Sequence, residues 1–369
     1  MQQIAKKLLK NSKKQQIFKF KYIYYAFINE NNNKRINMND MKKIGLTALA
    51  GSLVAFSANA AEMSVSGATV LTYTSEDSTE VTGNPLGMKT NLAFTASGEV
   101  NGYTVSYMQV SKDQFAGMSS ARLSVDMGDL GNLSLDQGSG SGLATIDDKT
   151  PTAAEEIWDG LDTTTSGRVG AVGSSGVLNY VNTFGGVTLN AAMKKGSGTS
   201  NSDGSSSGNG EGSGYDFALT TDGSMLGIDG LALGFGYGEV EAGQTASTAG
   251  DNGDTTNMTG FVNYSIGPVT IGYQESTEDA GGNNGVSQYS NRWGVAFNIN
   301  ENLSVSYGEA ETEFAKPSAT HVTEDVEGIA IAYTMGSMKI AGNQNEGSNM
   351  AGTAGSNDKM TEIAVSFAF

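Results

Sequence analysis

The side chains of this 369-residue chain most able to do chemistry are carboxylates, and they cluster: Asp147, Asp148, Glu155, Glu156, Asp159 and Asp162 fall in one stretch. Paired carboxyls can work as general acid and base when burial tunes their proton affinities. The surrounding Thr, Ser and Gly read as a solvent-filled loop, which offers no such tuning, so the plain alternative is a solvated surface loop. Other reactive groups are scarce. The chain has one histidine, His321, and no cysteine. A histidine-based triad, a multi-histidine metal site and a cysteine zinc site are therefore unavailable. Asp251-Asn252-Gly253-Asp254 has only part of a calcium-loop ligand pattern. The Gly-rich stretch 204–214 has no Lys and no strand–helix context for cradling phosphate, and reads as loop. No enzyme, resident metal or cofactor is expected, and a calcium ion in the acidic loops is a minor alternative.

The elements that must position these acids are strands. Short segments alternate in polarity with period two, which sends successive side chains to opposite faces. The first spans 63–73. Later ones carry Leu92, Phe94 and Ala96; Tyr103, Val105 and Tyr107; Ala121, Leu123, Val125 and Met127; and Leu133 and Leu135. A sixth lies near 176–182, and a seventh carries Val187, Leu189, Ala191 and Met193. Others centre on Phe217, Leu233, Val262, Ile271, Val295, Val305, Ile331 and Ile340, and the last is 360–369, making 16. Tight turns such as Asn101-Gly102, Gly185-Gly186 and Gly267-Pro268 alternate with long polar connections at 75–88, 139–167, 196–213, 242–256, 276–287, 310–324 and 343–358. Short turns at one rim and long loops at the other are the habit of an antiparallel membrane barrel. The expected fold is all-β, a 16-stranded antiparallel transmembrane barrel. The mean hydropathy of −0.26 does not oppose this, because only one face of each strand meets lipid. Strand aromatics including Tyr73, Tyr107, Tyr237, Tyr264, Tyr273, Trp293, Tyr307 and Tyr333 could form interfacial girdles or simply reflect β-propensity.

Charge divides the chain. Residues 1–40 contain no Gly and carry nine basic and two acidic residues, a net +7. Met41 opens a second segment: Lys42-Lys43, an apolar run over 44–56, then Ser57-Ala58-Asn59-Ala60. That is the pattern of a secretory signal peptide cut after Ala60. A signal peptide belongs at the start, so residues 1–40 are expected to be upstream sequence read as coding, with translation beginning at Met41 or Met38. Residues 61–369 then hold 11 basic and 37 acidic residues, a net −26, which argues against nucleic acid as a partner. An exported chain without cysteine must be stabilised without disulfides.

At the C-terminus Ile363, Val365, Phe367 and Phe369 share one strand face, and the chain stops on an aromatic residue. This end resembles the assembly signal read by the barrel-insertion machinery of Gram-negative bacteria. With 127–135, 180–189 and the signal segment, it makes residues 61–369 resemble the Gram-negative outer-membrane porin family, in particular general diffusion porins of the alphaproteobacterial type. The resemblance implies a homotrimer in the outer membrane, passing ions and small hydrophilic solutes. It also implies that the connection after the fifth strand, 139–167, folds into the lumen as a constriction lined by Asp147, Asp148, Glu155, Glu156, Asp159 and Asp162, with a helix-like segment at 153–161 around Trp158. By strand parity Arg122 and Arg292 point inward, and Arg168 follows the loop, giving a thin basic wall. An acidic ring lowers the cost of cation entry, so cation preference is expected. The alternatives are a substrate-selective channel of the same fold and a secreted or surface structural β-protein.

Overall fold

The computed structural model describes residues 62–78, 82–112, 117–162, 169–170, 172–173, 175–196, 212–241, 253–281, 286–315 and 322–369. The 1–40 extension, the signal segment 41–60, Arg168, His321, Asp251-Asn252 and most of 204–214 lie outside the described residues.

Sixteen strands follow one another: β1 (Glu62–Ser78), β2 (Leu86–Val100), β3 (Tyr103–Lys112), β4 (Gly117–Asp126), β5 (Asn132–Gln137), β6 (Ser175–Phe184), β7 (Val187–Lys194) and β8 (Gly214–Thr221). Then come β9 (Leu231–Val240), β10 (Thr255–Ile266), β11 (Val269–Ala280), β12 (Ser287–Asn298), β13 (Leu303–Ala315), β14 (Glu324–Met335), β15 (Met338–Ser348) and β16 (Asp358–Ala368). Each pairs antiparallel with its sequence neighbours, and β1 pairs with β16, so the sheet closes into a barrel without an edge. Closure matters in lipid, where unpaired backbone groups cost several kcal/mol each. At the seam the Phe369 N–H donates to the Gly67 carbonyl (2.9 Å) and Gly67 N–H to the Phe369 carbonyl (2.7 Å). A Cβ at Gly67 would lie 2.8 Å from the Phe369 ring and 2.5 Å from the Leu92 side chain, so only glycine leaves both their places.

The period-two reading of all sixteen strands holds. On β14, Asp325, Glu327, Ile329, Ile331 and Tyr333 are exposed while Val326, Gly328, Ala330 and Ala332 between them are buried. The exposed face is the outside of the barrel. It carries Leu71, Phe94, Leu135, Leu219, Ile271, Trp293 and Phe367, an apolar surface that water would not tolerate but hydrocarbon would. The strand tyrosines and Trp293 share this outward parity. Ile363, Val365, Phe367 and Phe369 lie along the outward side of β16 and its end, and Phe369 is 69% exposed.

Strand ends differ from the sequence reading. β1, β11, β13 and β15 run through the first part of the expected long connections, leaving 79–85, 281–286, 316–323 and 349–357 between strands. The outward side chains on these extensions are polar, for example Asp77, Glu311, Glu313 and Glu346. Apolar alternation therefore stops where the hydrogen-bond ladder does not. At the other rim, Asn101 (φ 54°) and Gly102 (φ 85°) turn β2 into β3 with both central residues left-handed, the geometry matching strand twist.

Candidate functional site

The described residues of the connection between β5 and β6, 138–162, 169–170 and 172–173, lie inside the barrel along its inner wall. Its path is set by inward side chains from strands distant in sequence, most of them bonding loop backbone. Asn190 on β7 accepts from Gly142 N–H (2.9 Å) and Asp216 on β8 from Leu143 N–H (3.0 Å). Gln274 on β11 accepts from Lys149 N–H (2.7 Å) and donates to the Ile146 carbonyl (2.8 Å). Ser306 on β13 accepts from Ala153 N–H (2.8 Å). Asn345 on β15 donates to the carbonyls of Glu156 (3.1 Å) and Asp159 (2.8 Å), and Asp358 on β16 accepts from Asp162 N–H (2.6 Å). The loop then returns: Gly170 N–H reaches Asn257 on β10 (2.9 Å), and Val172 N–H reaches the second oxygen of Asp216 (2.9 Å). Asp216 thus ties the outgoing and returning limbs to one carboxylate.

Packing seconds the hydrogen bonds. Trp158 and Leu161 bury against Ala310, Val326, Met350 and Met360, and Leu143 and Ile146 against Val169 and Ala218. Inward glycines of the wall give the loop its track. A Cβ at Gly272 would stand 2.4 Å from the Pro151 ring, and one at Gly328 2.9 Å from the Ile157 Cβ.

The expected helix-like segment at 153–161 is instead a pair of turns, with Asp159 N–H bonded to the Glu156 carbonyl (3.0 Å) and Leu161 N–H to the Trp158 carbonyl (3.2 Å). The carbonyls a helix would use have other partners: Thr152 Oγ1 donates to Glu155 (2.7 Å), and Asn345 takes Glu156 and Asp159.

The six sequence-selected acids differ in their settings. Glu155 and Asp162 are exposed; Asp147, Asp148, Glu156 and Asp159 are half-buried. Asp148, Glu155 and Glu156 form one electrostatic group. Burial is the chief cause pushing the Glu156 carboxyl above its ordinary pKa; its own backbone amide opposes the shift, while Asp148 and Glu155 reinforce it. Burial likewise raises Asp159, against the attraction of Lys89. Asp147 contributes its backbone carbonyl to Gln274 and Arg292.

The basic wall requires a correction. Arg292 does point inward but is 0% exposed, because the loop covers it. Its guanidinium donates to the Asp147 carbonyl and to Ser276 Oγ (3.0 Å) and stacks 5.1 Å from the Trp158 ring centre. It holds the loop and lines no aqueous path. Arg122 is bound to Asp136 (3.3 Å) and to the Gly140 carbonyl, with 30% of its side chain exposed.

Several inward charges escaped the sequence reading, among them the loop anchors Asp216 and Asp358 and two that act on the loop acids. Lys89 on β2 interacts with Asp159, and Glu362 on β16 accepts from Thr74 Oγ1 (2.8 Å) and interacts with Asp159 and Glu155. Both could have been found by the parity rule that selected Arg122, since Met88 and Ile363 beside them face out.

A closed antiparallel barrel of this kind has many solved counterparts. OmpF of Salmonella typhi, in complex with daunomycin, matches with a TM-score of 0.60 at 11% identity, over 83% of this chain and 97% of that one. The outer membrane channel DcaP of Acinetobacter baumannii matches at 0.59 and 12%, over 84% and 97%. A mutant of the Rh. blastica porin matches at 0.56 and 14%, over 84% and 100%. The fold is that of the outer-membrane porins. In this porin fold the barrel is transmembrane, with short turns at one rim and longer connections at the other. No family model matches the sequence, and neither does any curated protein.

Proposed function

We propose that this porin-fold chain is a water-filled outer-membrane channel for passive diffusion of ions and small hydrophilic solutes, and that it prefers cations. One observation carries the reading: a loop pinned inside a closed 16-strand barrel presents Asp148, Glu155, Glu156 and Asp159 near Glu362, while Arg292 is sealed beneath that loop and Arg122 is bound to Asp136. A barrel of this strand number leaves an aqueous lumen. A carboxylate lining lowers the cost of a cation entering it. The barrel's counterparts are channels, and the reading is of a channel rather than an enzyme.

Export by the 41–60 segment, insertion by the barrel-assembly machinery through Ile363, Val365, Phe367 and Phe369, and assembly as a homotrimer belong to the same reading. A matching OmpT of Vibrio cholerae is described in a trimer form. In this chain the outward positions of β2 to β7 carry no carboxylate among the described residues, so that sector could meet another copy without like-charge repulsion.

Planar-bilayer recording of the refolded 61–369 chain tests the proposal. Stepwise conductance, with a reversal potential favouring cations in a salt gradient, is the expected result. Steps with anion preference would overturn the cation reading, and a folded barrel without steps would overturn the channel reading.

A further inference from the structure

The lipid-facing side of β13 to β16 carries two grooves stacked along the same strands. The lower one has a volume of about 340 Å³ and is almost wholly apolar, bounded by Val305, Ile329, Ile331 and Ile363. It exists because Gly342 occupies the outward position of β15 between Ile331 of β14 and Ile363 of β16, a row otherwise filled by large side chains. The upper one, about 430 Å³, lies toward the long connections, among Glu309, Glu311, Asp325, Glu327, Glu346 and Lys359. Successive outward positions lead from one to the other: Glu327 is the next above Ile329 on β14. Tyr307 marks the boundary, its hydroxyl lying 2.7 Å from a carboxylate oxygen of both Glu309 and Glu327.

The lower groove opens to hydrocarbon, so an acyl chain suits it. The upper groove selects what that chain carries. Its carboxylates outnumber its single cation, Lys359, which is already paired with Glu346 at 2.9 Å. An anionic headgroup would be repelled there and an amine attracted. We infer that β13 to β16 bind one membrane lipid with an amine-bearing headgroup, its chain in the slot at Gly342 and its amine among Glu311, Asp325 and Glu327. This site lies outside the barrel and goes beyond the channel reading.

The test is native mass spectrometry of the full folded barrel, loaded from mixed micelles of phosphatidylethanolamine and phosphatidylglycerol with identical chains, in the presence of EDTA. One retained phosphatidylethanolamine per chain is expected, favoured over phosphatidylglycerol about fivefold from two or three exposed charge contacts. Gly342→Leu fills the slot without disturbing the wall: a Cβ there meets the Glu362 carbonyl at 3.6 Å and Ile331 at 3.7 Å, ordinary contacts. It should lower retention of both lipids. The pair Glu311→Gln and Asp325→Asn should keep a lipid bound but abolish the headgroup preference. Equal retention of the two lipids by the unmodified chain, or unchanged retention in Gly342→Leu, would overturn the inference. So would phosphatidylglycerol retained only when magnesium replaces EDTA, which would make the upper groove a cation bridge to phosphate.

Discussion

The Arg292 guanidinium lies over the Trp158 ring at 5.1 Å, joining β12 to the middle of the loop that connects β5 to β6. Arg292 is the largest fully buried side chain among the described residues. Burying a cation is costly unless it is paired and hydrogen-bonded, and stacking on an aromatic face offsets part of that cost. Removing it takes one donor from the Asp147 carbonyl, which keeps Gln274, and one from Ser276 Oγ, which keeps Thr259, and uncovers one ring face of Trp158. Arg292→Met, which keeps most of the volume, should destabilise the loop's seating by on the order of 2–4 kcal/mol. Single-channel records should show more open-state noise and a higher mean conductance than the parent. Quiet channels of unchanged conductance would mean the remaining anchors hold the loop alone. Trp158→Leu should act in the same direction and less than additively with Arg292→Met, since the two share one contact.

Asp216 gives a second, separable hold on the same loop. Its two oxygens accept from Leu143 N–H and Val172 N–H, one on each limb. Asp216→Asn keeps one acceptor oxygen and turns the other position into a donor facing an amide. One limb should therefore release, at a cost of about 1–3 kcal/mol. Proteolysis of the folded protein under limiting protease should cut within 138–174 faster in this variant. The Arg292→Met and Asp216→Asn effects should add, because the anchors sit on different strands and share no partner.

Selectivity is predicted to follow the loop acids and not the total charge. Glu155→Gln, Glu156→Gln and Asp159→Asn should each lower the cation-to-anion permeability ratio. Interaction of roughly 0.5–1 kcal/mol across a watery gap corresponds to about two- to fivefold per charge. Asp129→Asn, in the short 3-10 turn between β4 and β5, removes the same charge at the opposite rim and should leave the ratio unchanged. Equal effects at the two places would show that the permeating ion reads the field of the whole barrel. Lys89→Gln should raise cation preference, since Lys89 is the cation acting on Asp159.

The strands were legible in the sequence and the course of the loop was not, for one physical reason. A membrane strand declares itself through its neighbours in sequence, because lipid sits on every second residue. Leu135 and Ile331 face lipid and are exposed, whatever the rest of the chain does. The loop is placed by partners 73, 125 and 189 residues away, at Asp216, Gln274 and Asn345, and nothing local to 138–174 names them. Parity correctly aimed Arg292 inward. Its burial depended on where the loop lay, so a residue taken for pore wall became a loop anchor. Lys89 and Glu362 lie within reach of the same rule, because Met88 and Ile363 beside them face out.

The last prediction concerns pH. Burial, reinforced by Asp148 and Glu155, raises the Glu156 carboxyl above its ordinary value of 4.5, and burial raises Asp159 above 3.8. A raised carboxyl takes up its proton earlier as pH falls, so the loop begins to lose negative charge above the range in which an exposed carboxylate titrates. Cation preference should be full at neutral pH and decline on acidification, beginning at a higher pH than in a channel lined by exposed acids. Glu156→Gln removes one of the two loop charges whose pKa burial raises. Its reversal potential should be smaller at pH 7 and fall less steeply on acidification. Reversal potentials measured in a fixed salt gradient from pH 7 to pH 4, on the parent and on Glu156→Gln, decide it. If the two curves run parallel, Glu156 carries no charge that a passing ion feels, and the selectivity must come from Glu155, Asp159 and Glu362.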